Sequence, residues 1–143
     1  MVSPNPPDDA VGTMTQDPPR EKVVLIEDHE ATREIFQAIL ESEGYTVTAA
    51  EDGRRGIEAI RTVSPDVVVT DIAMPGLDGI QVVRAVRSAP DIGDIPVVAA
   101  TAQSSGYDTE ELRDVFVAVL RKPVHPRDLL GTVARVLSNR STG

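Results

Sequence analysis

Four short apolar runs in this chain each lead into a residue able to do chemistry. "KVVLI" runs into Glu27-Asp28, "DVVVT" into Asp71, "IPVVAA" into Thr101 and "VAVLR" into Lys122-Pro123. Burying a charge without a partner is costly, so strand interiors avoid carboxylates. Read singly, each site stays open. Glu27-Asp28 reads equally well as a solvated loop, and Asp71 as a cap for the turn at Met74-Pro75-Gly76. Thr101 says nothing alone, and Lys-Pro is a common strand exit. Together, each at the end of its own run, they are far less accidental. If the runs are neighbouring strands, Glu27, Asp28 and Asp71 meet at one mouth. Two carboxylates about 5 Å apart repel by roughly 3 kcal/mol at an effective dielectric of about 20. Three together require a cation. Oxygen-only donors favour a hard ion, Mg²⁺ first. Lys122 adds a point charge suited to a phosphate or to Asp71 itself, and Thr101 adds a hydroxyl.

Strand-helix alternation supplies the frame that positions these groups. Strands are expected at Lys22–Ile26, Tyr45–Ala50, Asp66–Thr70, Ile95–Ala100 and Val117–Arg121. Between them lie helical patterns. Ile35, Phe36, Ile39 and Leu40 share one face, with Gly44 as a stop, and Ile57, Ile60 and Val63 mark a helix that ends before Pro65. Ile80, Val83, Ala85 and Val86 give a third helix, which Asp78 is placed to cap. Asp108 and Glu111 have capping-box spacing ahead of Leu112, Val115 and Phe116. Pro126 suits the first turn of a last helix carrying Leu129, Leu130, Val133, Val136 and Leu137. Five βα units with apolar central strands imply a doubly wound parallel five-stranded sheet covered on both faces. At this size the flavodoxin-like (βα)5 order 2-1-3-4-5 is the expected one. Ligands then bind beyond the carboxyl ends, near the switch between strands one and three.

The totals fit one domain. The chain has 143 residues, 41% hydrophobic and 26% charged, with 3% aromatic, so Val, Ile, Leu and Ala build the core. A net charge of -9 argues against direct nucleic-acid binding. The absence of cysteine removes disulfides, thiolate zinc sites and thiol catalysis. No apolar run is long enough for a bilayer and no signal-peptide pattern opens the chain, so no membrane contact and a cytoplasmic location are expected. Residues 1–20 hold five of the eleven prolines and are expected to form a disordered arm. The domain is expected over 21–138, with a disordered tail at 139–143. His29 and His125 read as surface loop residues, because their spacing fits no metal motif.

The combination "VVLIEDHE", "PDVVVTDIAMPGLDG", "VVAATA" and "LRKPV" resembles the receiver domain of two-component response regulators, over about Lys22 to Ser138. The resemblance implies that Asp71 is the phosphoacceptor, taking a phosphoryl group from the phosphohistidine of a sensor histidine kinase or a histidine phosphotransfer protein. It implies that Glu27, Asp28, Asp71 and the backbone carbonyl of Ala73 hold Mg²⁺. Thr101 would bond a phosphoryl oxygen. Lys122 would be the family's lysine and Pro123 its cis-bonded neighbour. It further implies a downstream target protein on the face of helix four, strand five and helix five, and allows a phosphorylation-dependent homodimer. Such a chain is a signalling phosphoacceptor rather than an enzyme.

Three departures stand out. The acidic pair is Glu-Asp where the family often has Asp-Asp. Val119 stands where it often has Tyr or Phe. Ala73 and Gln103 flank the route of water. A valine has little χ1 freedom, so the response is expected to depend more on Thr101–Leu112, around Ser104-Ser105-Gly106. The competing expectations are an aspartyl-nucleophile phosphatase, and a receiver cut from a larger regulator or hybrid kinase. Ala73 counts against the former, since that chemistry wants an acid two residues after the nucleophile.

Overall fold

Runs of Val, Ile and Ala pair side by side because their branched side chains suit a pleated surface buried on both faces. The computed structural model describes residues 21–102 and 109–142. The strands are β1 (Lys22–Ile26), β2 (Thr46–Ala50), β3 (Val67–Asp71), β4 (Val97–Ala102) and β5 (Ala118–Lys122). The helices are α1 (Glu30–Ser42), α2 (Gly53–Val63), α3 (Gly79–Arg87), α4 (Thr109–Val115) and α5 (Pro126–Thr142). All pairings are parallel and the order is β2-β1-β3-β4-β5, the flavodoxin-like arrangement expected.

Pleating divides the core into two layers. Val23, Leu25, Val67, Val69, Val98 and Ala100 pack against α1 and α5 through Phe36, Leu40, Leu129 and Val133. Val24, Ile26, Val68, Val97 and Ala99 pack on the other face against Ile60, Val82, Val86 and Leu112 of α2, α3 and α4. Each such buried Val, Leu, Ile or Phe side chain contributes about 1.5–3 kcal/mol. Every residue of β3 is buried, Asp71 included. This strand stiffens the centre of the sheet and therefore the position of its last carboxylate.

The helices are started by local polar groups. Asp52 accepts from Arg55 N at 2.8 Å and caps α2. Asp78 and Gln81 form a reciprocal capping box on α3, as Asp78 was expected to do. His29 is exposed, as the sequence suggests, and caps α1 by accepting from Thr32 N. The chain leaves α2 through Ser64 in the left-handed region (φ 50°), immediately before Pro65.

Boundaries differ from the sequence reading in a consistent direction. Asp71, Thr101 and Lys122 are not residues just past the strands but lie within them, because pairing continues through Asp71↔Ala100, Thr101↔Arg121 and Ala102↔Lys122. At the other end of the chain, α5 runs on to Thr142 where a tail from residue 139 was expected. Its last turn is tied to the start of β3 by Arg140 and Asp66, 3.0 Å apart. The expected arm over residues 1–20, Gln103, the Ser104-Ser105-Gly106 centre and Asp108 lie outside the described residues.

Candidate functional site

The pleat decides which side chains meet. Glu27 continues the alternation of Val23 and Leu25, Asp71 that of Val67 and Val69, and Lys122 that of Ala118 and Leu120. All three therefore emerge on the α1/α5 side of the sheet. Lys122 Nζ donates to Glu27 Oε1 at 2.7 Å and to Asp71 Oδ2 at 3.3 Å. Thr101 follows Val97 and Ala99 to the opposite side, and its buried Oγ1 has no hydrogen-bond partner among the described residues. Val119 has the same orientation and packs, half-buried, on that layer.

The backbone holds the carboxylates from behind. Asp71 Oδ1 accepts from Ile72 N at 2.7 Å. Glu27 Oε2 accepts from His29 N at 3.0 Å. Glu27 N donates to Ala50 O at 3.1 Å, and Glu27 O accepts from Arg33 Nη1 at 2.9 Å. Gly79 brings the first turn of α3 against the strand end. Its N–H bonds Ile72 O at 2.8 Å, and a Cβ there would sit 2.5 Å from Asp71 O. Ala73 is exposed on the bend that follows β3.

Burial pushes the Glu27 carboxyl above its ordinary range, against the hydrogen bonds from Lys122 and His29 N, with the Asp71 charge adding to the rise. Burial works against the Lys122 ammonium. The hydrogen bond to Glu27 and the charges of Asp71 and Glu27 outweigh it, and its pKa stands above the usual lysine value. The pair sits largely out of water, with the Glu27 side chain 2% and that of Lys122 22% exposed.

A cation has a place here. One oxygen each from Glu27, Asp28 and Asp71 lie within 4.8 Å of one another, and Asp28 is exposed at the opening. The donors are hard oxygens of a kind suited to Mg²⁺. Both Glu27 oxygens already accept hydrogen bonds, so an ion that takes Glu27 directly must share or displace one of those donors. The structure therefore gathers Glu27, Asp28, Asp71 and Lys122 as the sequence suggests, and leaves Thr101 adjacent in register but facing the other layer. Sequence reasoning missed Arg33, Gly79 and the Ile72 N–H. An arginine on the first turns of an amphipathic helix looks like any solvated side chain, and a backbone donor leaves no trace in residue type.

A family model described as the response regulator receiver domain matches residues 23–134. The response regulator MprA of Mycolicibacterium vanbaalenii is 39% identical over 122 residues, covering 85% of this chain and 52% of that protein. An uncharacterised 14.6 kDa protein of Leptolyngbya boryana is 32% identical over 112 residues, covering 78% of this chain and 86% of its own. Among solved structures, the chemotaxis response regulator CheY4 of Vibrio cholerae superposes with a TM-score of 0.75 at 30% identity, over 82% of this chain and 99% of that one. The chain spans 52% of the length of MprA and 35% of that of the Streptomyces avermitilis regulator CseB.

Proposed function

Because the chain belongs to the response regulator receiver domain family, we propose that it accepts a phosphoryl group on Asp71 and thereby switches its contacts with other proteins. The observation that carries this reading is Lys122, held at 2.7 Å from Glu27 and 3.3 Å from Asp71 at the carboxyl ends of β1 and β3. A carboxylate oxygen of Asp71 attacks phosphorus. The P–N bond to a donor imidazole breaks, its electron pair stays with the imidazole, and an acyl phosphate forms. Such a transfer asks for positioning and charge neutralisation more than for covalent help. Ile72 N–H fixes one Asp71 oxygen and Lys122 balances charge on the other. Thr101 faces the α2–α4 layer, and its hydroxyl, without a hydrogen-bond partner among the described residues, would have to turn towards Asp71 to meet a phosphoryl oxygen. Glu27, Asp28 and Asp71, with the carbonyl of Ala73, would hold Mg²⁺, which when bound screens the carboxylates from the incoming phosphoryl oxygens.

The donor is a sensor histidine kinase or a histidine phosphotransfer protein, as expected for a chain of this family. An open groove lined by Thr32, Ile35, Phe36, Pro123 and Val124 lies beside Lys122, where such a donor has to approach. The downstream target would use the face of α4, β5 and α5, or a second copy of the chain would, and neither role needs nucleic acid or a membrane. No helix among the described residues is long and apolar enough to cross a bilayer. A cytoplasmic site of action suits this chemistry, and the chain turns over no substrate of its own. A receiver acting inside a longer regulator is a second reading, favoured by the 52% of MprA that the chain spans. Both readings use the same site.

The test is to incubate the chain with Mg²⁺ and acetyl phosphate and weigh the intact protein. One added phosphoryl group is expected, lost in Asp71→Asn. Full labelling of that variant would move the acceptor elsewhere.

A further inference from the structure

We infer that Arg33 is a positioning residue for cation binding, acting through the backbone of the β1–α1 turn; this rests on the Mg²⁺ reading above. The turn Glu27-Asp28-His29 joins the last residue of β1 to the first of α1. Asp28, exposed and nearest to solvent, lies between two anchored residues. On one side, Glu27 is fixed by three bonds besides that from Lys122. Its N–H reaches Ala50 O at 3.1 Å, its carboxylate accepts His29 N–H at 3.0 Å, and its carbonyl accepts Arg33 Nη1 at 2.9 Å. On the other side, His29 caps α1 by accepting from Thr32 N. Among the described residues, the hydrogen bond from Arg33 runs from the body of α1 back to the strand end. It closes a ring through Glu27 O, Arg33 and the helical bond from Arg33 N to His29 O at 2.9 Å. Without it the Glu27 carbonyl has to find water, and the peptide carrying Asp28 is free to rotate. Groups behind the ligands commonly alter metal affinity 10- to 100-fold by such orientation.

The sign of the effect separates this role from simpler ones. A guanidinium bonded to the Glu27 carbonyl repels a divalent cation held nearby, so a mere nearby charge predicts tighter Mg²⁺ binding when it is removed. A purely structural role predicts a lower melting temperature with unchanged affinity in the folded state. Positioning predicts weaker binding. Mg²⁺ is titrated calorimetrically into metal-free wild type, Arg33→Ala and Arg33→Lys, well below their melting temperatures. Arg33→Ala is expected to bind about 10-fold more weakly. Arg33→Lys, which keeps one donor of similar reach, should recover most of the loss. Amide exchange at His29 in metal-free protein should quicken in Arg33→Ala and return towards wild type in Arg33→Lys. Equal or tighter Mg²⁺ binding by Arg33→Ala, with wild-type exchange at His29, overturns the role while leaving the metal reading intact. A wild-type chain that binds no Mg²⁺ overturns both.

Discussion

Lys122 and Glu27 are the residues on which the resting site depends most. Neither would be stable there alone, since removing one partner of a buried pair typically costs about 3–5 kcal/mol. Lys122 keeps 22% of its side chain in water, so the smaller figure of about 2 kcal/mol is expected for Lys122→Met at neutral pH without metal. The pH dependence gives a sharper check. Glu27 has a raised folded pKa, so its contribution is fully present below 4.5 and is lost as pH rises through the folded value. In Lys122→Met that folded value rises further. The stability gap between variant and wild type should therefore shrink as pH falls towards 4.5. Lys122 is also raised, above 10.5, so its own contribution persists through neutrality and disappears only in strong alkali. Denaturant melts of both proteins from acid to alkaline pH test this, and a gap that widens on acidification would rule out Glu27 as the responsible group. The identity of this pair was legible in the sequence as two residue types at strand ends. Its geometry was not, because Glu27 meets Lys122 across 95 positions of chain.

At the scale of elements, the fit of α3 against the end of β3 matters more than helix propensity. Ala exceeds Gly by about 1 kcal/mol in helix interiors, yet Gly79 has Asp71 O where a Cβ would go, at 2.5 Å, and Ile72 Cα at 3.0 Å. Backbone cannot step aside cheaply. Gly79→Ala is expected to lower stability by about 1–3 kcal/mol and to slow labelling of Asp71 by acetyl phosphate. A variant at least as stable as wild type, labelled at the same rate, would show that the close approach has no hold on the site. The elements were the most readable part of the chain. Val67-Val68-Val69 announces a buried strand, and Asp78 announces a helix start. Strand ends were less so, and for a physical reason. Asp71 and Lys122 are polar and look like exits, but ladder pairing with Ala100 and Ala102 carries the strands through them. The end of α5 was misread likewise, since "SNRST" has no apolar pattern and its hold on the domain comes from Arg140 reaching Asp66.

Across the whole molecule, chemistry and anchoring sit at opposite ends of the sheet. Asp66 stands just ahead of β3, about 16 Å from Asp71 at roughly 3.3 Å per residue. It accepts Lys22 N–H at 2.7 Å and pairs with Arg140, while Lys22 Nζ closes the end of α2 at Val63 O, 2.8 Å away. Asp66→Ala should cost about 1–2 kcal/mol, chiefly for the orphaned Lys22 N–H, and should leave the Asp71 labelling rate unchanged. Thermal melts with parallel labelling check this, and slowed labelling in a folded variant would show that the two ends are coupled. The shared orientation of Glu27, Asp71 and Lys122 sets a different kind of limit on how this chain can vary. Three strands must each deliver a side chain on the same beat of a two-step rhythm. Exchanging Val69 for Ile keeps the beat. Dropping Val69 altogether puts the carboxylate half a step out, towards α3 and away from its lysine, although the composition of the strand hardly changes. Swaps of similar size and polarity at the core positions of β1, β3 and β5 thus keep the site in place, whereas one residue gained or lost there would dismantle it. Length variation is pushed into the turns.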